Sequence, residues 1–419
     1  MGRGQPQLGR HLGFFDTIAV ALGAIIGAGI FVVLGEVASA AGAAVSPGVL
    51  LAGLVAILNG LSAAQLGVAF PRIGGTYEFG YVVLWPWVGF GAGLLYLFGN
   101  LAGSAALSLT FASYLQPVVP GVPPRAVAIG MVVAAAAVNL AGAQQSRRVN
   151  NVLVVFKVAV LAALVGVGLA FVNRWQPLAA QPFRLAGIPT VAALFFFAYS
   201  GFARPVTIVE EVRDPARNLP RSIVLAIAIT AILYLAVSTV SLGLAGVAGL
   251  AGQPAPLRAA LLPTGQGWAV FLVSLGAVVA TADVLLTGIW ALSRVVLAMV
   301  RRGDLPAALG RMNGRGVPWV AVLATGGITI VISAAVGFGA VLAAASLGTL
   351  VYYAVTNWAA LRLARGQRLY PRVVPIAGLI GTVALAGSLP LQPLIVLAAV
   401  LAIGLAYFFL WHRWRRHRR

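Results

Sequence analysis

The stretch Leu22-Gly-Ala-Ile-Ile-Gly-Ala-Gly-Ile-Phe31 lies in the middle of the first long apolar segment, where a membrane helix would normally be continuous. Its three glycines weaken that helix, because glycine has no Cβ and loses more backbone entropy on ordering than any other residue. A broken helix in lipid leaves N–H and C=O groups without partners, so it persists only where it lines a cavity that satisfies them. The stretch therefore predicts either a binding cavity or, because Gly23 and Gly27 are four residues apart, a helix–helix packing face.

The composition is that of an integral membrane protein. Of 419 residues, 61% are hydrophobic and 9% are charged, whereas a soluble domain carries about 25% charged residues. Cysteine is absent, and the three histidines lie near the chain ends. These residues cannot supply a disulfide or a thiolate metal site, and they offer little for a histidine-based catalytic centre. We expect neither an enzyme nor a bound cofactor.

Apolar runs of membrane-spanning length occur twelve times along the chain. They are residues 14–34, 46–69, 82–115, 125–143, 150–172, 189–210, 221–247, 268–300, 318–337, 340–361, 372–389 and 391–411. The termini and every second connection hold 21 of the 28 basic residues, and the alternate connections hold four. By the positive-inside rule both termini are cytoplasmic. The net charge of +20 therefore orients the chain in the cell membrane, against anionic lipid, and does not indicate a nucleic-acid partner.

A second interruption is predicted in the sixth run, where Ser200-Gly201 is followed by Pro205. Proline has no N–H, so Pro205 is expected to free the carbonyl of Gly201 four residues earlier. The first run leads outward and the sixth inward, and five runs separate their starts. Two interrupted helices at corresponding positions of oppositely oriented halves are typical of transporters built on inverted repeats. The pair of breaks favours a binding site over a packing face.

Four ordered motifs resemble the amino acid–polyamine–organocation (APC) superfamily of permeases, and among these the bacterial relatives of cationic amino acid transporters. The motifs are Gly23-Ala-Ile-Ile-Gly-Ala-Gly-Ile-Phe31; Phe196-Phe-Ala-Tyr-Ser-Gly-Phe202 with Glu210-Glu-Val-Arg-Asp-Pro215 and Pro220-Arg-Ser-Ile223; Ser293-Arg294 with Met299-Val-Arg-Arg-Gly-Asp-Leu-Pro306; and Ser346-Leu-Gly-Thr-Leu350.

The resemblance implies an all-α membrane protein of twelve transmembrane helices with a LeuT-type 5+5 inverted repeat. Residues 14–172 would form the first repeat, 189–364 the second, and 372–411 two peripheral helices, between a cytoplasmic N-terminus (1–13) and a basic tail (412–419). The resemblance also implies a secondary active amino acid transporter that works by alternating access, either as a proton-coupled symporter or as an exchanger. A carrier of another amine, such as a polyamine or an amino alcohol, and a membrane sensor that does not transport are alternatives. The oligomeric state is open.

The predicted substrate site is a backbone cradle formed by the two breaks. Free N–H groups after the first break face a substrate carboxylate at the positive end of a half-helix, and carbonyls before each break face its ammonium group. Its residues are Ala24, Ile25, Gly27, Ala28, Gly29, Ile30, Phe197, Ala198, Ser200, Gly201 and Phe202. By resemblance Phe197 or Phe202 is the aromatic gate, whereas packing is expected for Phe195 and Phe196.

Lys157 is the chain's one lysine among 27 arginines, and it lies within the fifth run. A buried lysine can release its proton, whereas arginine stays charged, and by resemblance the Lys157 amine takes the place of a sodium ion. Asp283 lies within the eighth run, where a lone carboxylate is costly. We expect Lys157 and Asp283 to titrate as a coupled pair, with Thr281 nearby. Lys157 snorkelling to the surface and a protonated Asp283 bonded to a backbone carbonyl are the alternatives.

Other charged residues border the sixth and eighth runs. Cationic amino acid transporters carry an aspartate and a small residue where this chain has Ala203-Arg204, so Arg204 argues against cationic substrates. It can pair with Asp283 or a substrate carboxylate, or it can face the cytoplasm. Glu210 and Glu211 lie among arginines and are expected to form ion pairs that latch the inner gate, together with Asp214. Arg294 is expected to snorkel towards the inner surface.

Overall fold

Residues 11–71, 75–142 and 147–417 are described by a computed structural model of the chain. They form fifteen α-helices joined by short loops and 3₁₀ turns. In chain order the helices are α1 (Phe14–Ile25), α2 (Gly29–Ala41), α3 (Val45–Ala69), α4 (Gly75–Val83), α5 (Pro86–Leu115), α6 (Pro124–Leu140), α7 (Arg147–Ala170), α8 (Ile188–Tyr199), α9 (Pro215–Leu250), α10 (Pro256–Leu261), α11 (Gly267–Arg302), α12 (Trp319–Ala335), α13 (Phe338–Leu361), α14 (Val373–Gly387) and α15 (Leu391–His417). Five arginines that contribute to the predicted charge bias lie outside the described residues, namely Arg3, Arg10, Arg72, Arg418 and Arg419.

Every predicted apolar run has a helical counterpart. Among the described residues, eight apolar stretches are long enough to cross a membrane, and the bent pair α1 and α2 makes a ninth. Helices α6, α12 and α14 are apolar but have 17, 17 and 15 residues. At about 1.5 Å per residue, the two helices of 17 residues are at the lower limit for crossing a hydrocarbon layer about 30 Å thick, and α14 is slightly shorter. The protein is therefore an all-helical multi-pass membrane protein.

Small residues let the long helices of the bundle approach closely. Helix α5 packs against α6, α11, α12 and α13, and α3 packs against α8, α9, α13 and α14. Where α5 crosses α13, a Cβ on Gly348 would lie 2.5 Å from the Cα of Gly99, so Gly348 is required for the contact, and a Cβ on Gly99 would be crowded at 3.1 Å from the backbone nitrogen of Thr349. Helix α1 contacts α9 and α2 contacts α8. Both parts of the interrupted first segment thus lie against the second half of the chain.

A buried carboxylate ties three elements together at the end of α11. Asp304 is 1% exposed and accepts hydrogen bonds from the hydroxyls of Tyr77 (2.7 Å) and Tyr81 (2.6 Å) on α4. Burial, and then the hydrogen bond to Asp304, raises the pKa of both tyrosines, so both remain protonated donors. The ring of His412 on α15 lies 3.8 Å from the same carboxylate, so α4, α15 and the loop after α11 are held together.

Candidate functional site

The first break lies at the stretch that its glycines predict. Helix α1 ends at Ile25, and α2 begins at Gly29 with its axis turned by 50°. Ile26 has φ −76° and ψ 67°, and the N–H of Gly27 donates to the Ile25 carbonyl at 2.7 Å, which is the geometry of an inverse γ-turn. The first N–H groups of an α-helix have no partner within it. The break therefore presents the N-terminal end of α2, beginning at Gly29, to the interior of the protein.

The second break follows α8, but it is built differently. The N–H and Oγ of Ser200 both donate to the Phe197 carbonyl, at 3.1 and 2.6 Å, and Gly201 has φ +114°. The chain then continues as a 3₁₀ helix over Arg204–Glu211. We expected Pro205 to free the Gly201 carbonyl, and this was wrong: the N–H of Arg204 donates to it at 2.8 Å, because the tighter turn brings a donor one residue earlier than an α-helix does.

The two breaks are in direct contact. A Cβ on Gly29 would lie 2.5 Å from the Cα of Ala198, and a Cβ on Gly201 would lie 2.4 Å from the carbonyl oxygen of Ala24. Gly23 faces Val154 of α7, where a Cβ would lie 3.1 Å from the valine methyl. The first-segment glycines thus form both a break and a packing face, which the sequence presented as alternatives.

Tyr234 on α9 joins the two breaks, and sequence reasoning missed it. Its fully buried hydroxyl lies 3.0 Å from the carbonyl oxygen of Ala198 and 3.2 Å from that of Ile25. A buried tyrosine hydroxyl requires a hydrogen-bond partner. Tyr234 is the one tyrosine within the seventh apolar run, a signal that could have singled it out.

This contact changes which carbonyls are available for an ammonium group. A carbonyl oxygen has two lone pairs. The Phe197 oxygen accepts twice from Ser200. The Ile25 oxygen accepts from Gly27 and shares the single hydroxyl proton of Tyr234 with the Ala198 oxygen. We expect both the Ile25 and the Phe197 carbonyl to face a substrate, but the Phe197 oxygen is occupied and the Ile25 oxygen is partly occupied. The Ala24 oxygen has no donor among the described residues, and the Ala198 oxygen has one lone pair left.

The phenylalanines divide into packed and half-buried side chains. Phe195 and Phe196 are fully buried, as expected for packing. Phe202 is also fully buried and packs on Tyr353 with ring centroids 4.7 Å apart. Phe197 is half-buried, and its ring faces Gly103 of α5, where a Cβ would lie 3.1 Å from it. Of the two candidate gates, Phe197 is the one whose ring is not enclosed.

The structure brings Lys157 and Asp283 together. The Lys157 Nζ lies 2.9 Å from a carboxylate oxygen of Asp283, with the side chains 1% and 9% exposed. Lys157 is therefore buried, and the snorkelling alternative is wrong. Thr281 is buried nearby on α11, but its hydroxyl donates to the Ala277 carbonyl of its own helix at 2.7 Å. A Cβ on Gly27 would lie 3.2 Å from Val284, the neighbour of Asp283, so the ion pair borders the first break.

Two of the charged residues after the second break, Arg204 and Glu211, differ in their contacts. Arg204 is exposed, and among the described residues no carboxylate lies within 4.0 Å of it. The Glu211 carboxylate lies 3.5 Å from the Nε2 of His11, and the Glu211 carbonyl accepts the N–H groups of His11 and Leu12. The loop after the second break is thereby linked to the start of the first segment through the backbone.

Two further acidic residues of this loop differ from expectation. In the part of the chain that the structure describes, neither Glu210 nor Asp214 lies within 4.0 Å of a basic group. Asp214 instead adopts a left-handed backbone conformation (φ 45°), and its carbonyl accepts the N–H groups of Arg217 and Asn218 in the first turn of α9. The latch role of Glu210 and Glu211 stays a prediction, and the Glu211–His11 contact joins this loop to the start of the first segment.

The chain is similar to known permeases over nearly its whole length. The family model for amino acid permeases matches residues 12–413. An uncharacterized transporter of Mycobacterium tuberculosis is 38% identical over 411 residues, covering 96% of this chain and 91% of that protein. A branched-chain amino acid permease of Bacillus subtilis is 29% identical, covering 98% and 94%, and vacuolar cationic amino acid transporter 4 of Arabidopsis thaliana is 29% identical, covering 84% and 62%. The matched range includes both breaks and the Lys157–Asp283 pair.

Proposed function

The chain belongs to the amino acid permease family, and on that premise we propose that it is a secondary active transporter of amino acids, driven by protons through alternating access. The observation that carries the proposal is the contact of the two breaks, Gly29 against Ala198 and Gly201 against Ala24. Interrupted helices that meet within a membrane protein supply unpaired backbone groups, and such groups bind the charged ends of a substrate.

In the proposed site the substrate carboxylate binds the N–H groups of Ala28, Gly29 and Ile30 at the start of α2. The dipole of α2 favours a negative charge there. The ammonium group binds the free lone pairs of the Ala24 and Ala198 carbonyls. These groups recognise the part common to all α-amino acids, and Phe197 contacts the side chain.

Arg204 favours neutral over cationic substrates. It follows the second break and adds a positive charge for which the described residues supply no carboxylate partner. A cationic side chain near it would be repelled. Of the two relatives with named substrates, the branched-chain permease therefore fits this feature better than the cationic transporter.

The proposed proton carrier is the Lys157–Asp283 pair. With the lysine protonated, the pair is neutral overall and its two charges compensate each other, so the buried position is tolerated. Loss of one proton leaves a net negative charge in a buried site. This charge destabilises the packing of α7 against α11 that brings Lys157 and Asp283 together. Because α11 touches the first break at Gly27, protonation of the pair favours one arrangement of the break over another.

The test uses purified protein in proteoliposomes, with counterflow of a panel of amino acids, a polyamine and an amino alcohol at two pH values, with and without sodium. We expect saturable, sodium-independent uptake of neutral amino acids that rises with an inward proton gradient. Asp283→Asn should flatten the pH dependence. The control Gly327→Ala lies on α12, where an added Cβ would meet no atom within 4 Å, and it should leave the pH dependence unchanged.

Each part of the proposal can fail separately. A strict sodium requirement, or an unchanged pH dependence in Asp283→Asn, would remove the proton-carrying role of the pair. Uptake of the polyamine or the amino alcohol alone would replace amino acids as the substrate class. A protein that binds amino acids without counterflow would be a sensor.

We also propose that all twelve apolar runs cross the membrane, with both termini in the cytoplasm. The chain contains no cysteine, so single cysteines can be placed in the native background at two exposed, uncrowded glycines, Gly121 and Gly366. A membrane-impermeant maleimide should label Gly121→Cys in intact cells and Gly366→Cys only after permeabilisation. The opposite pattern would reverse the orientation, and equal labelling of both would contradict the predicted number of crossings between them.

A further inference from the structure

A small polar cavity lies at the basic end of the bundle, away from the two breaks. It is enclosed by the end of α6, by α11 and by the loop before α12, and it holds about 50 Å³. One water molecule needs about 10–15 Å³ by the same measure, so there is room for a group of several atoms. Arg294, Arg315, Trp290 and Asn139 are among its lining residues.

The cavity has positive charge without a compensating carboxylate. The Nε of Arg294 is buried and has no hydrogen-bond partner among the described residues, and the guanidinium carbon lies 5.4 Å from the Trp290 ring centroid. In the part of the chain that the structure describes, no carboxylate lies within 4.0 Å of Arg294 or Arg315. Asp283, on the same helix as Arg294, is held by Lys157. A buried guanidinium donor without an acceptor is costly, and an anion would satisfy it.

The loop that carries Arg315 is held in place by side-chain hydrogen bonds. The Oδ1 of Asn313 accepts the N–H groups of Arg315 and Val317, each at 3.0 Å, and its Nδ2 donates to the Leu140 carbonyl at the end of α6 at 3.1 Å. Asn139 in turn donates to the Leu286 carbonyl of α11 at 3.1 Å. These bonds join the three walls of the cavity and fix the backbone from which the Arg315 side chain extends.

We propose that this cavity binds a phosphate group between Arg294 and Arg315. Guanidinium groups match phosphate oxygens with paired N–H donors. Trp290, which lines the cavity, is 38% exposed, and exposed tryptophan is typical of the level of lipid headgroups. The source of the phosphate is therefore an anionic phospholipid, and a soluble phosphate is the alternative source of the same chemistry. The proposal is independent of the transported substrate.

Native mass spectrometry and thermal stability of the full chain in detergent test this site. Wild type is compared with Arg294→Gln, Arg315→Gln and the control Arg311→Gln, an exposed arginine of the same loop that does not line the cavity. Each protein is titrated with phosphatidylglycerol, with phosphatidylcholine, and with inorganic phosphate against chloride at equal ionic strength.

We expect wild type to retain phosphatidylglycerol in preference to phosphatidylcholine. Each cavity variant should weaken that retention by about tenfold or more, as the loss of a charge-assisted hydrogen bond implies, and Arg311→Gln by no more than about fivefold. Stabilisation of wild type but not of the cavity variants by inorganic phosphate would support the site with a soluble source. Equal retention by wild type and both cavity variants, or an equal loss in Arg311→Gln, would overturn it. Arg315→Gln keeps the test valid if Arg294→Gln does not fold, because Arg315 is exposed.

Discussion

The two breaks are both predicted from helix-weakening residues, but they have different structures. After the first, the chain resumes as the α-helix α2, and after the second it resumes as 3₁₀ turns over Arg204–Glu211 that are kinked at Ile208. The first break leaves N–H groups at the start of a helix of 13 residues, where the dipole favours an anion. At the second, the Phe197 and Gly201 carbonyls are satisfied locally. The difference teaches that, in the proposed site, the N–H groups for the carboxylate come from the first break alone, whereas each break contributes one carbonyl for the ammonium group.

The glycines also differ in what they must do. Gly29 is required because Ala198 lies against it, whereas Gly201 is required both for close approach to Ala24 and for its φ of +114°. A residue with a Cβ is strained at that φ irrespective of space. The second break therefore depends more strongly on its single glycine than the first does.

The largest effect is expected for Gly201→Ala. Backbone strain costs about 1–3 kcal/mol and overpacking about 1–3 kcal/mol more, because the new Cβ meets the Ala24 carbonyl and not a flexible side chain. Transport should be lost and the melting temperature should fall. Thermal stability in detergent and counterflow check this, with Gly327→Ala as the control. Wild-type stability would show that the second break does not depend on this glycine.

Gly29→Ala should lower the melting temperature less than Gly201→Ala does, and it should impair transport as strongly. Overpacking against the Ala198 backbone costs about 1–3 kcal/mol without added φ strain, but it separates the two breaks at the proposed carboxylate site. Counterflow and the melting temperature of this variant are measured beside those of Gly201→Ala. The comparison separates the cost of overpacking from the cost of φ strain. An equal or larger loss of stability than in Gly201→Ala would reverse the order proposed for the two breaks.

Tyr234→Phe tests the link between the breaks. Removal of the hydroxyl should cost about 1–2 kcal/mol and lower the transport rate, because the carbonyls of Ile25 and Ala198 lose a shared donor. Tyr199→Phe is the matched control, since its buried hydroxyl donates to Val49 on α3 at 3.3 Å. Equal transport defects in both variants would indicate a general packing role.

The smallest effect is expected for Ser200→Ala. The Phe197 carbonyl keeps the N–H of residue 200 as a donor, so the loss of Oγ should cost no more than about 1 kcal/mol. Substrate affinity measured by binding should be nearly unchanged. A large loss of affinity with normal stability would assign Ser200 to direct substrate contact and would weaken the contrast between the breaks.

Sequence reasoning located both breaks and selected the two residues of the ion pair. Glycine and proline act on their own turn of the chain, so their effects are visible locally. A lone lysine and a lone carboxylate in apolar runs each require a partner, which made Lys157 and Asp283 candidates for each other. The occupancy of the Ile25 and Phe197 carbonyls was not predictable in this way, because it depends on a hydroxyl of α9 and on the local fold of Ser200.

The amino-acid sequence by itself determined the membrane class, the apolar segments, the positions of the breaks and the family, because hydropathy, run length and the backbone freedom of glycine are properties of the local chain. The tertiary structure alone decided the 2.9 Å contact of Lys157 with Asp283, the bridge from Tyr234 to both breaks, the 3₁₀ course after Gly201 and the cavity between Arg294 and Arg315. The ion pair, the tyrosine bridge and the cavity depend on how helices distant in sequence pack. Differences of a few tenths of an ångström in packing distance are not encoded in any single segment.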